Sequence, residues 1–375
     1  MKKLLITSTD LMMIQFLVPH VKYLSENGFH VELACSEVGA RMDDVRQALG
    51  NVAKAIHTVR LERSPANPRN LLGYRDMRRL LAENQYDIIW TNEPVMGVVT
   101  RLAARDLRKS GTRVVYMCHG FHFFKGASLL NWLVFYPVER FMSRFCDAIV
   151  TMNQEDYERA KTFHSKHVYK IPGVGVDGSR FLQDADPSLR SSKRRELGIP
   201  QDAFLLLSVG ELTKRKNHEV VLKALKELKR PDVHYVICGV GNLQEHLETL
   251  AKKFGLENRV HFLGYRHDVS EIMHSADCFV FPSRQEGLPF ALMEAMASGL
   301  PIICSRIRGN VDLIEDRKGG ILCDTCNAGH FLDALKTIPG LDHIQMANYN
   351  RAKLTNFYLN NTQALLAGLL DGLHP

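Results

Sequence analysis

Short runs of β-branched and aliphatic residues alternate with longer segments of helical period from one end of the chain to the other. Residues 4–8, 30–35, 87–91, 114–118, 148–151 and 168–171 predict one set of strands. Residues 204–209, 234–238, 260–263, 278–281 and 301–304 predict a second set. Strand, helix and strand repeated in this order imply parallel sheets covered by helices on both faces. Between the two sets, residues 173–200 are rich in Gly, Asp, Ser and charge and show no clear period. The pattern therefore predicts an α/β chain with one domain over 1–172, a linker at 173–185 and a second domain over 186–357. A last helix-like piece, in 358–375, is expected to cross back to the first domain.

Composition narrows this little. At 375 residues, two domains are the natural expectation. A hydrophobic content of 45% with 24% charge is ordinary for a globular protein in water. No apolar run approaches the ~20 residues that span a bilayer. Met1 to Ile6 resembles the start of a signal peptide, but Thr7 to Asp10 interrupt it, and it reads as a first strand. The eight cysteines lack a repeating spacing, and Cys323 and Cys326 are the only close pair, so reduced cysteines in the cytoplasm are expected. Charge is more informative. Residues 1–172 hold 24 Lys+Arg against 17 Asp+Glu, whereas residues 173–375 hold 24 against 24. The whole excess of +7 thus lies in the first half and suggests an anionic partner. A phospholipid surface or a lipid-diphosphate fits; nucleic acid does not, because no motif for it is visible.

An open parallel sheet binds ligands at the carboxyl ends of its strands. Asp10, Asn92 with Glu93, and His119 fall there in the first half. The stretch Gly210 to Lys216, the Gly239-Val240-Gly241 run and Glu286 fall there in the second. Two such edges facing each other would make a cleft. The segment from Glu286 through Gly287, Leu288, Pro289 and Phe290 to Glu294 carries the most chemistry. Proline suits a first helical turn, so Glu286 is expected on the loop and Glu294 about one turn inside a helix. The loop amides from Gly287 to Phe290 then mark the positive end of a helix dipole, a site for an anion. Carboxylates on either side can grip sugar hydroxyls while the amides hold phosphate.

Four stretches in order carry a resemblance: Cys118-His119-Gly120-Phe121-His122-Phe123-Phe124-Lys125-Gly126; Pro172-Gly173-Val174-Gly175-Val176-Asp177; Ser208-Val209-Gly210-Glu211-Leu212 with Lys216-Asn217-His218; and Glu286 to Glu294 followed by Ala295-Met296-Ala297-Ser298-Gly299. Together they resemble the retaining glycosyltransferases of family 4, which carry a Glu-x7-Glu motif on a GT-B fold of two Rossmann-like domains. Within them the chain is similar to bacterial enzymes of capsule and exopolysaccharide assembly. The resemblance implies a nucleoside-diphosphate sugar donor, a UDP-sugar first, and a lipid-linked (polyprenyl-diphosphate) glycan acceptor. It also implies work at the inner face of the cytoplasmic membrane, with no cofactor. It assigns His119, Lys216 and Glu286 to catalysis. Donor binding falls to Gly210, Arg215, Lys216, Glu286, Gly287, Leu288, Pro289, Phe290 and Glu294, and acceptor binding to Asp10, Gly120 and His122.

The chain departs from its relatives in places. The arginine expected near the donor diphosphate is Glu211 here, and Arg215 either replaces it or is one solvated charge in the run Lys214-Arg215-Lys216. Thr9-Asp10-Leu11-Met12 stands where many relatives have paired glycines, and relatives often have histidine near Thr91-Asn92-Glu93. Asp184-Ala185-Asp186 is the only Asp-x-Asp near a candidate region and lies in the linker, so a metal-independent reaction is expected. Tyr265 and Arg266 lie near the expected base pocket. Finally, residues 128–145 combine Leu129, Leu130, Trp132, Leu133, Phe135, Tyr136 and Phe141 with Arg140 and Arg144. They read as a helix packed on the sheet, as a membrane-docking surface, or as both on different faces, with Pro137 expected to kink or break it. A non-catalytic nucleotide-sugar-binding subunit and a sugar-nucleotide epimerase of the same architecture are the competing readings.

Overall fold

Each strand set builds its own parallel sheet. A computed structural model describes the chain except residues 10, 38–46, 51, 182–186 and 373–375. The first unit holds β1 (Lys2–Ser8), α1 (Leu11–Glu26), β2 (Phe29–Cys35), β3 (Ala55–Thr58), α2 (Asn70–Glu83) and β4 (Ile88–Asn92). It continues through α3 (Pro94–Ala104), β5 (Arg113–Cys118), α4 (Leu129–Met142), β6 (Ala148–Thr151), α5 (Gln154–Ala160) and β7 (His167–Lys170). Among the described residues its sheet runs β3-β2-β1-β4-β5-β6-β7. Leu4 of β1 is in register with Val31 on one side and Ile88 on the other. The central strands are buried along nearly their whole length, which is why they read as apolar runs without alternation.

The second unit begins with α6 (Pro187–Glu196) and continues through β8 (Phe204–Val209), α7 (His218–Glu227), β9 (Val233–Cys238), α8 (Gln244–Lys253), β10 (Val260–Phe262) and α9 (Val269–Ser275). It then has β11 (Cys278–Phe281), α10 (Phe290–Ala297), β12 (Ile302–Ser305), α11 (Asn310–Leu313), β13 (Ile321–Cys323), α12 (Ala328–Thr337) and α13 (His343–Leu354). Its sheet runs β10-β9-β8-β11-β12-β13 among the described residues. By contacts the chain divides into Met1–Gly175 with Leu359–Pro375, and Val176–Tyr358. The last helix, α14 (Leu359–Gly372), therefore belongs to the first unit. Gln363 Nε2 donates to the Pro19 carbonyl at 2.8 Å, and Lys2 Nζ pairs with Asp371 at 2.6 Å.

Several elements differ from expectation. Strands β3 and β13 were not anticipated; both are short and lie at sheet edges, where burial does not demand a long apolar run. Pro137 sits inside a continuous α4. It removes one N–H, and the carbonyl four residues back belongs to the exposed Leu133, where water can satisfy it. The helix after β11 starts at Phe290, with Pro289 as its cap rather than inside its first turn. Asp184-Ala185-Asp186 lies outside the described residues.

Both faces of α4 are apolar. Trp132 and Tyr136 face inward: Trp132 packs tilted against Phe123, and Tyr136 packs edge-on against Phe123 and Phe163. Buried Glu139 accepts from Arg101 Nη2 at 2.9 Å and from Tyr116 OH at 3.0 Å. Leu129, Leu130, Leu133, Val134, Val138 and Phe141 point outward and are exposed. The exposed charges beside them, Lys125, Arg140 and Arg144, are all basic.

Candidate active site

In a doubly wound sheet the ligand crevice opens where successive connections leave in opposite directions. In the second unit that point lies between β8 and β11, and the loops after these strands are bound together. The Arg284 amide donates to the Arg215 carbonyl at 2.8 Å. Asn217, held at a positive φ of 57°, donates from Nδ2 to the carbonyls of Pro282 at 3.1 Å and Thr325 at 2.9 Å. On this base Glu286 is buried, and its Oε1 receives Lys216 Nζ at 2.8 Å and Arg215 Nη1 at 3.1 Å. The same guanidinium approaches Glu211 at 3.5 Å. Buried Arg308, from the loop after β12, donates Nε to the Glu286 carbonyl at 3.1 Å.

Lys216, Arg215 and Glu286 thus converge; the sequence placed them on loops at strand ends but paired neither cation with the carboxylate. A lysine ammonium has three N–H donors and a guanidinium five, so one carboxylate oxygen does not exhaust them. Two cations at the strand edge offer charge and donors to an anionic group. The Lys216 stem crosses Gly210, whose φ is 155°; a Cβ there would lie 3.1 Å from Lys216 Cε. The ammonium also sits 4.7 Å over the Phe281 ring. Gly239 serves the same loop from behind, since a Cβ on it would come within 2.0 Å of the Gly210 carbonyl oxygen. The Gly239-Val240-Gly241 run is therefore a backbone packing device. Beneath it, His218 Nδ1 lies 3.2 Å from Tyr235 OH, which lies 2.7 Å from Ser208 Oγ. Burial pushes His218 down to about 4, so it stays neutral beside Lys216.

Glu294 is the fifth residue of α10. Of the loop residues expected to offer amides, Gly287, Leu288 and Phe290 carry an N–H, whereas Pro289 has none and contributes only its ring and extended backbone (φ −81°, ψ 123°). Arg266 donates to Asp268 at 2.6 Å and Glu196 at 2.7 Å, an ion cluster within the fold, while Tyr265 is exposed.

In the first unit the corresponding point lies between β1 and β4. Asp10 lies outside the described residues. Glu93 takes an unusual backbone conformation (φ 63°, ψ 157°), and its carboxylate accepts from Ser8 Oγ at 2.6 Å and the Thr9 amide at 2.7 Å. His119, at the end of β5, has Nε2 at 2.9 Å from Asn92 Oδ1. Burial lowers it to about 4, leaving a neutral imidazole at physiological pH. Gly120 follows with a φ of 140° and turns the chain off the strand. His122 stacks on Phe135 of α4 at 4.7 Å, and its carbonyl accepts from Asn131 at 3.0 Å. Asn92, Glu93, Asn217 and Arg308 received no role from the sequence. Position at the carboxyl end of a central strand was the available signal for the first two; no pattern marked Arg308.

Comparison with known proteins follows the two units. Residues 17–177 match the family model described as Glycosyltransferase Family 4, and residues 190–350 match Glycosyl transferases group 1. A Bacillus subtilis (strain 168) protein named as glycosyltransferase EpsD is 35% identical over 326 residues, covering 86% of this chain and 83% of that protein. The Escherichia coli UDP-Gal:alpha-D-GlcNAc-diphosphoundecaprenol alpha-1,3-galactosyltransferase is 28% identical over 345 residues, covering 89% and 86%. The crystal structure of Anabaena HepE in complex with UDP and glucose superimposes with a TM-score of 0.81 at 19% identity, covering 100% of both chains.

Proposed function

The chain belongs to glycosyltransferase family 4, and from that premise we propose that it moves a sugar from a UDP-sugar, with retention, onto a lipid-linked glycan of a cell-surface polysaccharide. The observation that carries this reading is the convergence of Lys216 and Arg215 on Glu286 at the switch point between β8 and β11. A departing nucleoside diphosphate gains negative charge as the glycosidic bond breaks. Lys216 opposes that charge as a point cation, and Arg215 supplies the guanidinium that Glu211 does not. Glu286 and Glu294 hold hydroxyls of the sugar and ribose, and His119 contacts the transferred sugar. In this front-face reading the leaving phosphate assists deprotonation of the acceptor hydroxyl, so the cations do the work without a metal.

The acceptor side rests on the Escherichia coli relative, named for a diphosphoundecaprenol-linked acceptor, and on the outer face of α4, where apolar side chains lie beside exposed basic ones. No described helix is long and apolar enough to cross a membrane, and α4 seats the protein on the surface of the cytoplasmic membrane instead.

Saturation-transfer NMR against UDP-, GDP- and dTDP-sugars, followed by a transfer assay on polyprenyl-diphosphate glycans, tests the reading. One UDP-sugar is expected to bind selectively, and Lys216→Ala to lower kcat by ~10²–10³-fold. Unchanged turnover and affinity in that variant would sink the assignment. Binding without turnover would favour the non-catalytic subunit, and an epimerised nucleotide sugar the epimerase.

A further inference from the structure

The carboxyl ends of β1, β4 and β5 are joined by side chains, and the hydrogen-bond chemistry of that junction fixes which atoms donate. Asn92 is completely buried, so both ends of its amide need partners inside the protein. One end lies 3.1 Å from the Thr7 carbonyl oxygen, which can only accept. That end must therefore be the NH₂ group; the reverse orientation would bury two carbonyl oxygens against each other. The other end is then the amide oxygen, and it lies 2.9 Å from His119 Nε2. An oxygen there can only accept, so the ring must carry its hydrogen on Nε2. A neutral imidazole with Nε2–H has a bare lone pair at Nδ1.

Two further observations show that this arrangement is held firmly, and a third that the ring has an acceptor to spare. Thr7 Oγ1 donates to Thr91 Oγ1 at 2.8 Å and lies 3.2 Å from Thr100 Oγ1, which ties β1 to β4 and α3. Glu93, next to Asn92, is kept in a backbone conformation costly for any residue but glycine, and its carboxylate bonds to Ser8 and Thr9 restrain it. His119 Nδ1 makes no hydrogen bond among the described residues, and the ring is half-buried rather than sealed.

We propose that Asn92 is a positioning residue that locks His119 in its Nε2–H form and so presents Nδ1 as an acceptor for a hydroxyl of the donor sugar. This inference rests on the reading of His119 as a sugar contact. Its distinctive content is direction: the histidine receives a proton donor from the sugar and gives none to it. The site then discriminates between sugars by requiring an O–H at that place. A sugar lacking the hydroxyl leaves the lone pair unsatisfied in a partly dehydrated position, which hydrogen-bonding sites reject more strongly than apolar pockets reject an extra group.

The test uses the full chain with ¹⁵N-labelled histidine, the His119 signals being identified by their loss in His119→Gln. Near neutral pH the wild type is expected to show Nε2 protonated and Nδ1 bare. The Nδ1 signal is expected to shift on adding one of UDP-glucose, UDP-galactose or UDP-N-acetylglucosamine, but not with UDP alone. In Asn92→Ala both ring forms should become populated. Turnover should fall ~10–100-fold, as expected for a misplaced contact, with a smaller change in donor KM. An Nδ1–H ring or an imidazolium in the wild type overturns the proposal even if the variant does not fold. So does a loss of turnover in Asn92→Ala with the ring form unchanged, because Asn92 would then be merely structural. So does nucleotide-sugar binding that leaves Nδ1 unmoved. If the wild type transfers no sugar, the function proposed above fails, whereas the ring form of His119 is still read directly.

Discussion

Buried histidines make the stability of this protein depend on pH between about 4 and 6.5. His20, His119 and His218 all lie below their ordinary value because burial penalises the charged ring, and His119 and His218 reach about 4. An unfolded histidine titrates near 6.5. Between those values the unfolded chain binds more protons than the folded one, so stability rises with pH in that window. It is complete above about pH 6.5 and lost as pH falls toward the folded values. Going from pH 7 to pH 5 is therefore expected to cost on the order of 2 kcal/mol for each of His119 and His218. Urea unfolding at the two pH values measures this, and His218→Gln should remove part of the difference. Equal midpoints would show that these rings are not held neutral.

At the scale of elements, α4 departs most from an ordinary surface helix. Its buried positions include a carboxylate, Glu139, bonded to the buried Arg101, whose guanidinium lies 3.9 Å over the Tyr116 ring. Its exposed positions carry most of the large apolar side chains. A soluble helix normally has the reverse arrangement. The inner ion pair and aromatic cluster fix the helix so that its leucines cannot turn inward. Leu130→Asp combined with Leu133→Asp should leave thermal stability unchanged, because both side chains are already in water. Each leucine that enters a bilayer is worth roughly 1.5–3 kcal/mol, so the pair should weaken binding to phosphatidylglycerol vesicles more than tenfold. Sedimentation with anionic and with zwitterionic vesicles reads the result. Binding that survives the double substitution places the docking surface elsewhere.

The whole molecule is two sheets on one chain, with its last helix returned to the first unit. Leu366 and Leu370 of α14 are buried. Both tryptophans, Trp90 and Trp132, belong to the first unit, so tryptophan emission follows that unit alone. Leu370→Ala should lower the stability seen by tryptophan emission by about 2–5 kcal/mol, the usual cost of emptying a buried leucine site. An unmoved emission midpoint would contradict the placement of α14 in the first unit.

Much of this was legible along the chain because it depends on local pattern. A strand covered on both faces must be apolar throughout, so the central strands of both sheets showed as unbroken runs. Gly210, Lys216 and Glu286 could be placed at strand ends because a parallel sheet leaves its loops there. The edge strands β3 and β13 left no such mark: they are four and three residues long, too short to show a period, and β3 has no buried position. Other features depended on residues far apart in sequence. Nothing local says that Arg215 reaches Glu286, that Arg308 supports the Glu286 backbone, or that Asn92 faces His119. Nor does a helical period say which of two apolar faces turns inward; in α4 the buried pairing of Glu139 with Arg101 decides it. Burial and the alternation of strand with helix along the chain are written into composition and period, because solvent acts on every residue alike. Hydrogen-bond partners and charge pairs act only at contact distance, and contact is made by the tertiary fold.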